Sequence, residues 1–268
     1  MAVNEEFHLL SSGYPENRGG LWRSGHHVHP VVVVRLFRRR ADVVAGDARR
    51  GWAGMRQAFH EELVRLGGEM TEMCVVCAQA MRRATTALLT ADLELAEQVL
   101  GSDIELDLQR AECEEHAEAL LALQAPVAHE LRLVLAAVYC ADKLERMGDL
   151  AAHIAGTARL QHPGRFDPAE LEESFRCLGE LTAGMADRLA EMIAVPYAGM
   201  FAELDNADQA VDDLHARVLE VITSRNWKGG AAAAANAALL ARFYERFGDQ
   251  AVSVARRLEF TVTGALPT

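Results

Sequence analysis

The sequence predicts an all-α fold of two tandem three-helix bundles, and three observations lead to that prediction. Half of the 268 residues are hydrophobic, yet only 6% are aromatic and only seven are proline. Apolar residues recur through most of the chain with the 3.6-residue period of an amphipathic helix. A short motif, Glu-Arg-x-Gly-Asp, occurs twice, at Glu145–Asp149 and at Glu245–Asp249. The order of helices around the two copies indicates an internal repeat of three helices.

Residues 1–54 differ from the rest and are expected to lie outside the helical body. They are rich in Gly, His and Arg and show no helical period. Their one apolar run, Val31–Val34, is too short for a membrane span, which needs about 20 residues, or for a secretory signal. We expect a disordered extension, or translated sequence upstream of a true start at Met55. A basic tail that touches a membrane is the alternative.

The formal net charge of −12 is unevenly distributed. Residues 1–54 hold eight Arg and five acidic residues, so the rest of the chain carries −15. A body that acidic repels a phosphate backbone, which argues against nucleic acid and favours cations or basic protein surfaces as partners. The five cysteines sit in apolar helical runs and are expected to be reduced thiols of a cytoplasmic protein. Cys74 and Cys77, although spaced as CxxC, are interpreted as core residues.

The first bundle is predicted over residues 55–160, with helices at 55–89, 93–121 and 126–159. The inner stripe of the first helix is Phe59, Leu63, Leu66, Met70, Met73, Cys77 and Met81. The second helix is expected to break near Gly101, where Ser102 would cap a fresh helix. Pro126 is expected in the first turn of the third helix, because its missing N–H needs no partner there.

The second bundle is predicted over residues 167–260. Asp167, Pro168 and Glu170 have the spacing of a capping box at the start of the fourth helix. That helix is expected to end near residue 194, before a proline. The fifth helix is predicted at 198–223, and the sixth begins after Gly230 and carries the second copy of the motif.

Acidic residues four apart recur on the second and third helices of each half. Because such residues share one helix face, antiparallel packing could bring four carboxylates together in each bundle. Carboxylate oxygens select ions such as Mg²⁺, Mn²⁺ or iron, and several acids can hold more than one ion. The candidate metal ligands are Asp103, Asp107, Glu145, Asp149, Asp208, Asp212, Glu245 and Asp249.

Neighbouring residues make the two halves unequal. Asp142, one turn before the first motif, could add a ligand, whereas Arg242 takes its place in the second half. His153, one turn beyond the motif, could also add a ligand, whereas Ser253 is its counterpart. A solvated helix face is the alternative interpretation of any single acidic pair, and four matching pairs make it less favourable.

Two further motif positions have expected roles. Gly148 and Gly248 lie in mid-helix at a cost of about 1 kcal/mol each relative to Ala, which indicates close approach of a neighbouring helix or ion. Arg146 and Arg246 are expected to hold the ligands in place.

The stretches 121–135 and 141–149, together with the second copy of the motif, resemble the PhoU family of phosphate-transport-system regulators. The resemblance covers about residues 55–260. It implies two similar three-helix bundles whose acidic pairs bind multinuclear metal clusters of Mg, Mn, Fe or Zn, and it implies a homodimer. The implied function is negative regulation of phosphate uptake and of the phosphate-starvation response. The protein would link the ATPase subunit of the phosphate ABC transporter to a sensor histidine kinase, without catalysis, and would reach the membrane only through these partners.

The sequence departs from the family pattern beside the motif. Leu150 and Gln250 stand where the family commonly has His, and His153 and Ser253 stand where it has Asn. These departures bear on the number and identity of the metal ions. The alternative function is a metal-dependent helical-bundle enzyme, either a di-iron oxidase or a phosphohydrolase. The predicted helical part of the chain, residues 55–260, lacks the Glu-x-x-His motifs that a di-iron site needs on two helices, so the adaptor is favoured.

Overall fold

The computed structural model describes residues 50–164, 166 and 169–267. The extension was expected over residues 1–54, and residues 1–49 of it lie outside this range. Six α-helices follow one another in the described chain, with a 3₁₀ turn at Ala169–Leu171 before the fourth. They are α1 (Arg50–Thr90), α2 (Leu93–Gln124), α3 (His129–Gln161), α4 (Glu172–Ala194), α5 (Met200–Thr223) and α6 (Gly230–Thr263). The prediction of an all-α fold with two three-helix repeats is confirmed.

The first helix has the predicted inner face. All seven residues of its predicted stripe are buried, from Phe59 to Met81. The helix begins at Arg50, earlier than the expected Met55. None of the helices in the described part of the chain is long and apolar enough to cross a bilayer.

The predicted break in the second helix is wrong. Helix α2 runs without interruption through Gly101 and Ser102. Ser102 does not cap a new helix, because its hydroxyl donates to the carbonyl of Val99 at 2.8 Å. A serine that bonds back to its own helix satisfies its hydroxyl without ending the helix. The cap is instead at Asp92, whose carboxylate accepts from the N–H of Leu95.

The start of the third helix also differs from the prediction. Pro126 is not in the first turn, because α3 begins at His129. The connection turns through Ala125 (φ 43) and Ala128 (φ 50), two residues with left-handed backbone angles. Alanine rarely adopts such angles, so sequence patterns gave no sign of this turn.

The second repeat follows its predicted order. The predicted ends of α4 at Ala194 and of α5 at Thr223 are confirmed. The expected capping box falls partly on Asp167 and Pro168, which lie outside the described residues. The regular helix starts at Glu172, after the 3₁₀ turn.

The two bundles share one continuous core. Helix α4 packs more extensively against α1 than against α5 of its own repeat, and α3 packs against α6. The two bundles meet closely at Gly179, where a Cβ would lie 2.4 Å from Thr85 Oγ1. The Thr85 hydroxyl also hydrogen-bonds the buried Tyr244 hydroxyl at 3.0 Å. The bundles are therefore held by side-chain packing over their length and not only by the chain connection.

The cysteines behave as core residues. Cys74 and Cys77 are free thiols with no exposed surface, as are Cys113 and Cys140. Burial raises the pKa of each of these four thiols well above its usual range. Thiols of this kind are unreactive, so the interpretation of the CxxC pair as core is confirmed.

Candidate metal centre

The first carboxylate cluster lies where α2 packs against α3. Asp103 and Asp107 are one turn apart on α2, and Glu145 and Asp149 are one turn apart on α3. Burial raises the pKa of Asp103, and the charges of Asp149 and Asp107 raise it further. The pKa of Glu145 is raised by burial and then by the same two neighbours. The fold therefore brings the four carboxylates of the first bundle within electrostatic reach of one another.

The second cluster lies at the equivalent junction of α5 and α6. Burial raises the pKa of Asp208 to about 7, and the charges of Asp212, Asp249 and Glu245 contribute to the shift. Burial is also the first cause of the raised pKa of Glu245 and of Asp249. A carboxyl group with a pKa near 7 is only partly ionised at neutral pH. The second cluster therefore holds more like charge than its surroundings neutralise.

The two motif glycines let the helices of each pair approach closely. A Cβ on Gly248 would lie 2.0 Å from Asp208 Oδ1, and a Cβ on Gly148 would lie 2.4 Å from Leu106 Cδ1 and 3.6 Å from Asp103 Oδ1. No side chain tolerates the two shorter distances without movement of its neighbour. The expected use of both glycines, close approach of a neighbouring helix, is confirmed.

The two clusters differ in what fills the space at the glycine. In the first bundle the Leu106 methyl group lies nearest to Gly148. In the second bundle the carboxylate of Asp208 lies nearest to Gly248, with Met185 Sδ further away. Asp208 is therefore pressed against the α6 backbone, whereas an apolar group takes that place in the first bundle.

Two carboxylate oxygens of the second cluster are buried without a hydrogen-bond donor. They are Asp208 Oδ1 and Glu245 Oε2. In the described structure, no carboxylate oxygen of the first cluster is buried without a donor. The Glu245 side chain is only 12% exposed. Because buried acceptors in native proteins almost always have a partner, we expect each of these two oxygens to have one.

The two motif arginines lie beside the clusters, and their role in holding metal ligands stays a prediction. Arg146 forms an ion pair with Asp149 at 3.6 Å. The pKa of Asp249 is raised by burial, and the charges of Arg242 and Arg246 oppose the rise. Arg146 is 54% exposed, so its contact neutralises the first cluster only weakly.

Two other arginines act on the clusters, and sequence reasoning noted only the position of Arg242 and missed Arg110. Arg242 forms an ion pair with Glu245 on α6. Arg110 on α2 opposes the raised pKa of Glu145 across the helix pair. The i,i+3 spacing of Arg242 and Glu245 is a readable signal of their contact. The role of Arg110 depends on helix packing and has no such signal.

The two additional candidate ligands of the first half lie at its edge. Asp142 is 60% exposed and forms an ion pair with Lys143 at 3.1 Å. The His153 ring stacks on Phe243 of α6, with ring centroids 5.1 Å apart, and its charge opposes the raised pKa of Asp103. The assignment of Asp142 and His153 as ligands stays a prediction.

Hard cations fit the donor set of these clusters. In the described ranges no three His, Cys, Asp or Glu side chains converge as a ready ligand shell. The clusters are thus defined by accumulated carboxylate charge and, in the second, by unpaired buried oxygens. Carboxylates are the donors that Mg²⁺ and related ions take, and a cation would supply the partner that Asp208 Oδ1 and Glu245 Oε2 lack. The fit is therefore strongest at the second cluster.

Comparison with known proteins identifies the family. The PhoU domain family matches residues 70–158 and 175–258, one match in each bundle. The chain belongs to the PhoU family. The phosphate-specific transport system accessory protein PhoU homolog 2 of Mycobacterium tuberculosis is 44% identical over 213 residues, covering 80% of this chain and 100% of that protein. PhoU homolog 1 of Mycobacterium leprae is 43% identical over 213 residues, covering 80% and 96%.

Solved PhoU structures have the same fold. The regulatory protein PhoU of Streptococcus pneumoniae superposes with a TM-score of 0.71 at 24% identity, covering 78% of this chain and 99% of that one. PhoU of Pseudomonas aeruginosa gives a TM-score of 0.70 at 23% identity, covering 77% and 100%. Members of the family are accessory and regulatory proteins of phosphate transport rather than enzymes, and this chain is one of them.

Proposed function

We propose that this PhoU-family protein is a cytoplasmic, metal-binding adaptor that represses phosphate uptake and the phosphate-starvation response. It acts as a homodimer that links the ATPase subunit of the phosphate ABC transporter to a sensor histidine kinase. It reaches the membrane only through those partners. Its metal ions are Mg, Mn, Fe or Zn, held by the two clusters as multinuclear centres.

The observation that carries the metal part of the proposal is the pair of buried, unpaired carboxylate oxygens at Asp208 and Glu245. Four carboxylates in close reach repel one another, and burial strengthens the repulsion because the protein interior screens charge poorly. A bound cation attracts all four carboxylates and so offsets the repulsion between them. The same four positions recur in the first bundle, which supports a second centre there.

The adaptor part of the proposal rests on the family. The relatives named above are accessory proteins of phosphate-specific transport systems, and the clusters offer a charged surface that a metal would fix in one arrangement. The free cysteines, all without disulfide partners in the described chain, support a reducing compartment.

Co-purification from cells tests the adaptor role. The tagged full chain should bring down the transporter ATPase or the sensor kinase. The variant with Asp208→Asn and Glu245→Gln should lose this association together with its metal. A matched control with Asp213→Asn and Glu220→Gln removes the same charge from exposed positions of the second bundle and should retain both. The adaptor proposal is wrong if the wild-type chain captures neither partner at high or low phosphate.

A further inference from the structure

Two arginines stand apart from the others on this acidic protein. Four described arginines are partly buried: Arg110, Arg132, Arg188 and Arg257. Arg110 pairs with Glu114 at 2.8 Å, and Arg188 forms ion pairs with Glu191 and Glu203. Within the described chain the side chains of Arg132 and Arg257 form no ion pair or hydrogen bond, and the Nε atom of each is buried without an acceptor. A buried guanidinium N–H normally has a hydrogen-bond acceptor, and anions are the strongest acceptors for it.

Both guanidinium groups contact the same aromatic ring. Arg132 on α3 and Arg257 on α6 lie over the same Phe260 ring, with Cζ atoms 6.0 and 5.7 Å from its centroid. Arg257 also lies 4.8 Å from the centroid of the Tyr139 ring. An aromatic ring fixes a guanidinium by cation–π attraction but accepts none of its N–H donors along their axes. The two cations are therefore positioned without being neutralised.

Two acidic residues close to these side chains in the sequence have other partners. Glu259, beside Phe260 on α6, accepts the backbone N–H of Phe201 at 2.9 Å. Asp142, which follows Tyr139 by one helical turn on α3, pairs with Lys143 at 3.1 Å. The Nε atoms of both arginines are buried and unpaired. None of their terminal guanidinium nitrogens is both buried and unpaired. Donors of both arginines therefore remain open to a ligand from solution.

We propose that Arg132 and Arg257 form an oxyanion site at the junction of α3 and α6, separate from the carboxylate clusters. The ligand class is a phosphate group, either inorganic phosphate or a phosphate monoester. Two guanidinium charges match the charge of about −1.5 to −2 that a phosphate monoester carries at neutral pH better than the single charge of a carboxylate. Guanidinium N–H groups also suit bidentate contact with phosphate oxygens. Because α3 and α6 belong to different bundles, the ligand joins the two repeats.

This inference goes beyond the adaptor function and does not depend on it. A protein that lacks partner binding can retain the oxyanion site, and an adaptor can work without it. The two proposals therefore fail separately.

Calorimetric titration of the full chain tests the site. Chelator-treated protein is titrated with inorganic phosphate, with phosphoserine and with acetate at constant ionic strength, because metal in the clusters would itself bind phosphate. Binding of phosphate or phosphoserine, with acetate at least tenfold weaker, is expected. Arg132→Gln with Arg257→Gln should weaken it at least tenfold. Absence of millimolar binding of either phosphate ligand by the wild-type chain overturns the proposal.

Arg256→Gln is the matched control. Arg256 is on the same helix and also lies over an aromatic ring, Phe201 at 5.6 Å, but its Nε donates to the carbonyl of Pro267 at 2.9 Å. The control variant should bind phosphate as the wild-type chain does. Equal loss of binding in the control and in the double variant overturns the proposal, because general charge rather than the site would then explain binding.

A second measurement needs no variant. An arginine-selective dicarbonyl reagent is applied to the wild-type chain with and without phosphate, and modification is mapped by mass spectrometry. Phosphate should slow modification of Arg132 and Arg257 and leave that of Arg83 and Arg256 unchanged. Equal rates at Arg132 and Arg257 in both conditions overturn the proposal.

Discussion

The two carboxylate clusters share their four acidic positions but differ in their surroundings. The first has the Leu106 methyl group against its motif glycine and no buried oxygen without a partner in the described structure. The second presses Asp208 against Gly248 and leaves two oxygens unpaired. Repeated acidic positions therefore do not make equal clusters. We infer that the second cluster depends more on a bound cation than the first.

The largest expected effect is on stabilisation by metal. Adding excess Mn²⁺ to chelator-treated protein should raise the unfolding temperature, because the ion binds the folded clusters only. At a concentration 100-fold above Kd, one bound ion contributes about 2.7 kcal/mol, or roughly 5–10 °C for a chain of this size. Asp208→Asn with Glu245→Gln should remove more of this gain than Asp103→Asn with Glu145→Gln. Thermal unfolding followed by circular dichroism measures it.

An equal loss of the metal-induced gain in unfolding temperature in the two variants would contradict the inference that the second cluster depends more on a bound cation. A matched control removes two exposed charges from α2 by Glu105→Gln and Glu112→Gln. It should keep the full gain, since neither residue belongs to a cluster.

The next effect concerns the motif glycines. Gly248→Ala should weaken metal binding about tenfold or more, the range seen when groups that orient metal ligands are disturbed, because its Cβ displaces the Asp208 carboxylate. Gly148→Ala should displace the Leu106 methyl group first and change metal affinity less. Calorimetric titration with Mn²⁺ compares the two variants. A greater loss of Mn²⁺ affinity in Gly148→Ala than in Gly248→Ala would contradict the inference that the second cluster depends more on a bound cation.

Stability of the metal-free protein should depend on pH through Asp208. Its folded-state pKa is raised from 3.8 to about 7, so the folded protein binds more protons than the unfolded chain between these values. Stability should therefore be highest below pH 4 as far as this group is concerned, and its contribution should be lost as pH rises towards 7. Urea unfolding of chelator-treated protein measures the slope. Asp208→Asn should flatten it, and an unchanged slope in that variant would contradict the assignment.

The smallest effect is expected at the position where the two repeats carry opposite charge. Arg242 pairs with the second cluster, whereas Asp142 stands in its place beside the first. Arg242→Gln should strengthen cation binding about twofold, because Arg242 itself is half exposed and an i,i+3 helix pair contributes about 0.5 kcal/mol. Asp142→Arg should weaken binding at the first cluster by a similar factor. Competition titration with a fluorescent chelator resolves changes of this size.

The sequence predicted the helices and the positions of the clusters for identifiable physical reasons. Helical periodicity located the buried stripe of α1, and the duplicated motif located the acidic pairs. The helix ends were less predictable, because Ser102 satisfies its hydroxyl within the helix and two alanines adopt left-handed angles before α3. Local sequence patterns do not predict such side-chain contacts or backbone angles.

The inequality of the clusters could be predicted only in part. The exchange of Asp142 for Arg242 is visible in the sequence and did indicate different sites. The contact of Asp208 with the α6 backbone, and the burial of its oxygen, depend on how α5 packs on α6. The unpaired arginines Arg132 and Arg257 were missed for the same reason, since they come from helices far apart in the chain.

Anomalous scattering from crystals of the Mn²⁺-loaded full chain would locate bound metal without relying on a variant. We expect anomalous peaks at both clusters, with the one beside Asp208 and Glu245 at the higher occupancy when metal is limiting. A protein that binds Mn²⁺ in solution yet shows no peak within coordination distance of either cluster would contradict this expectation.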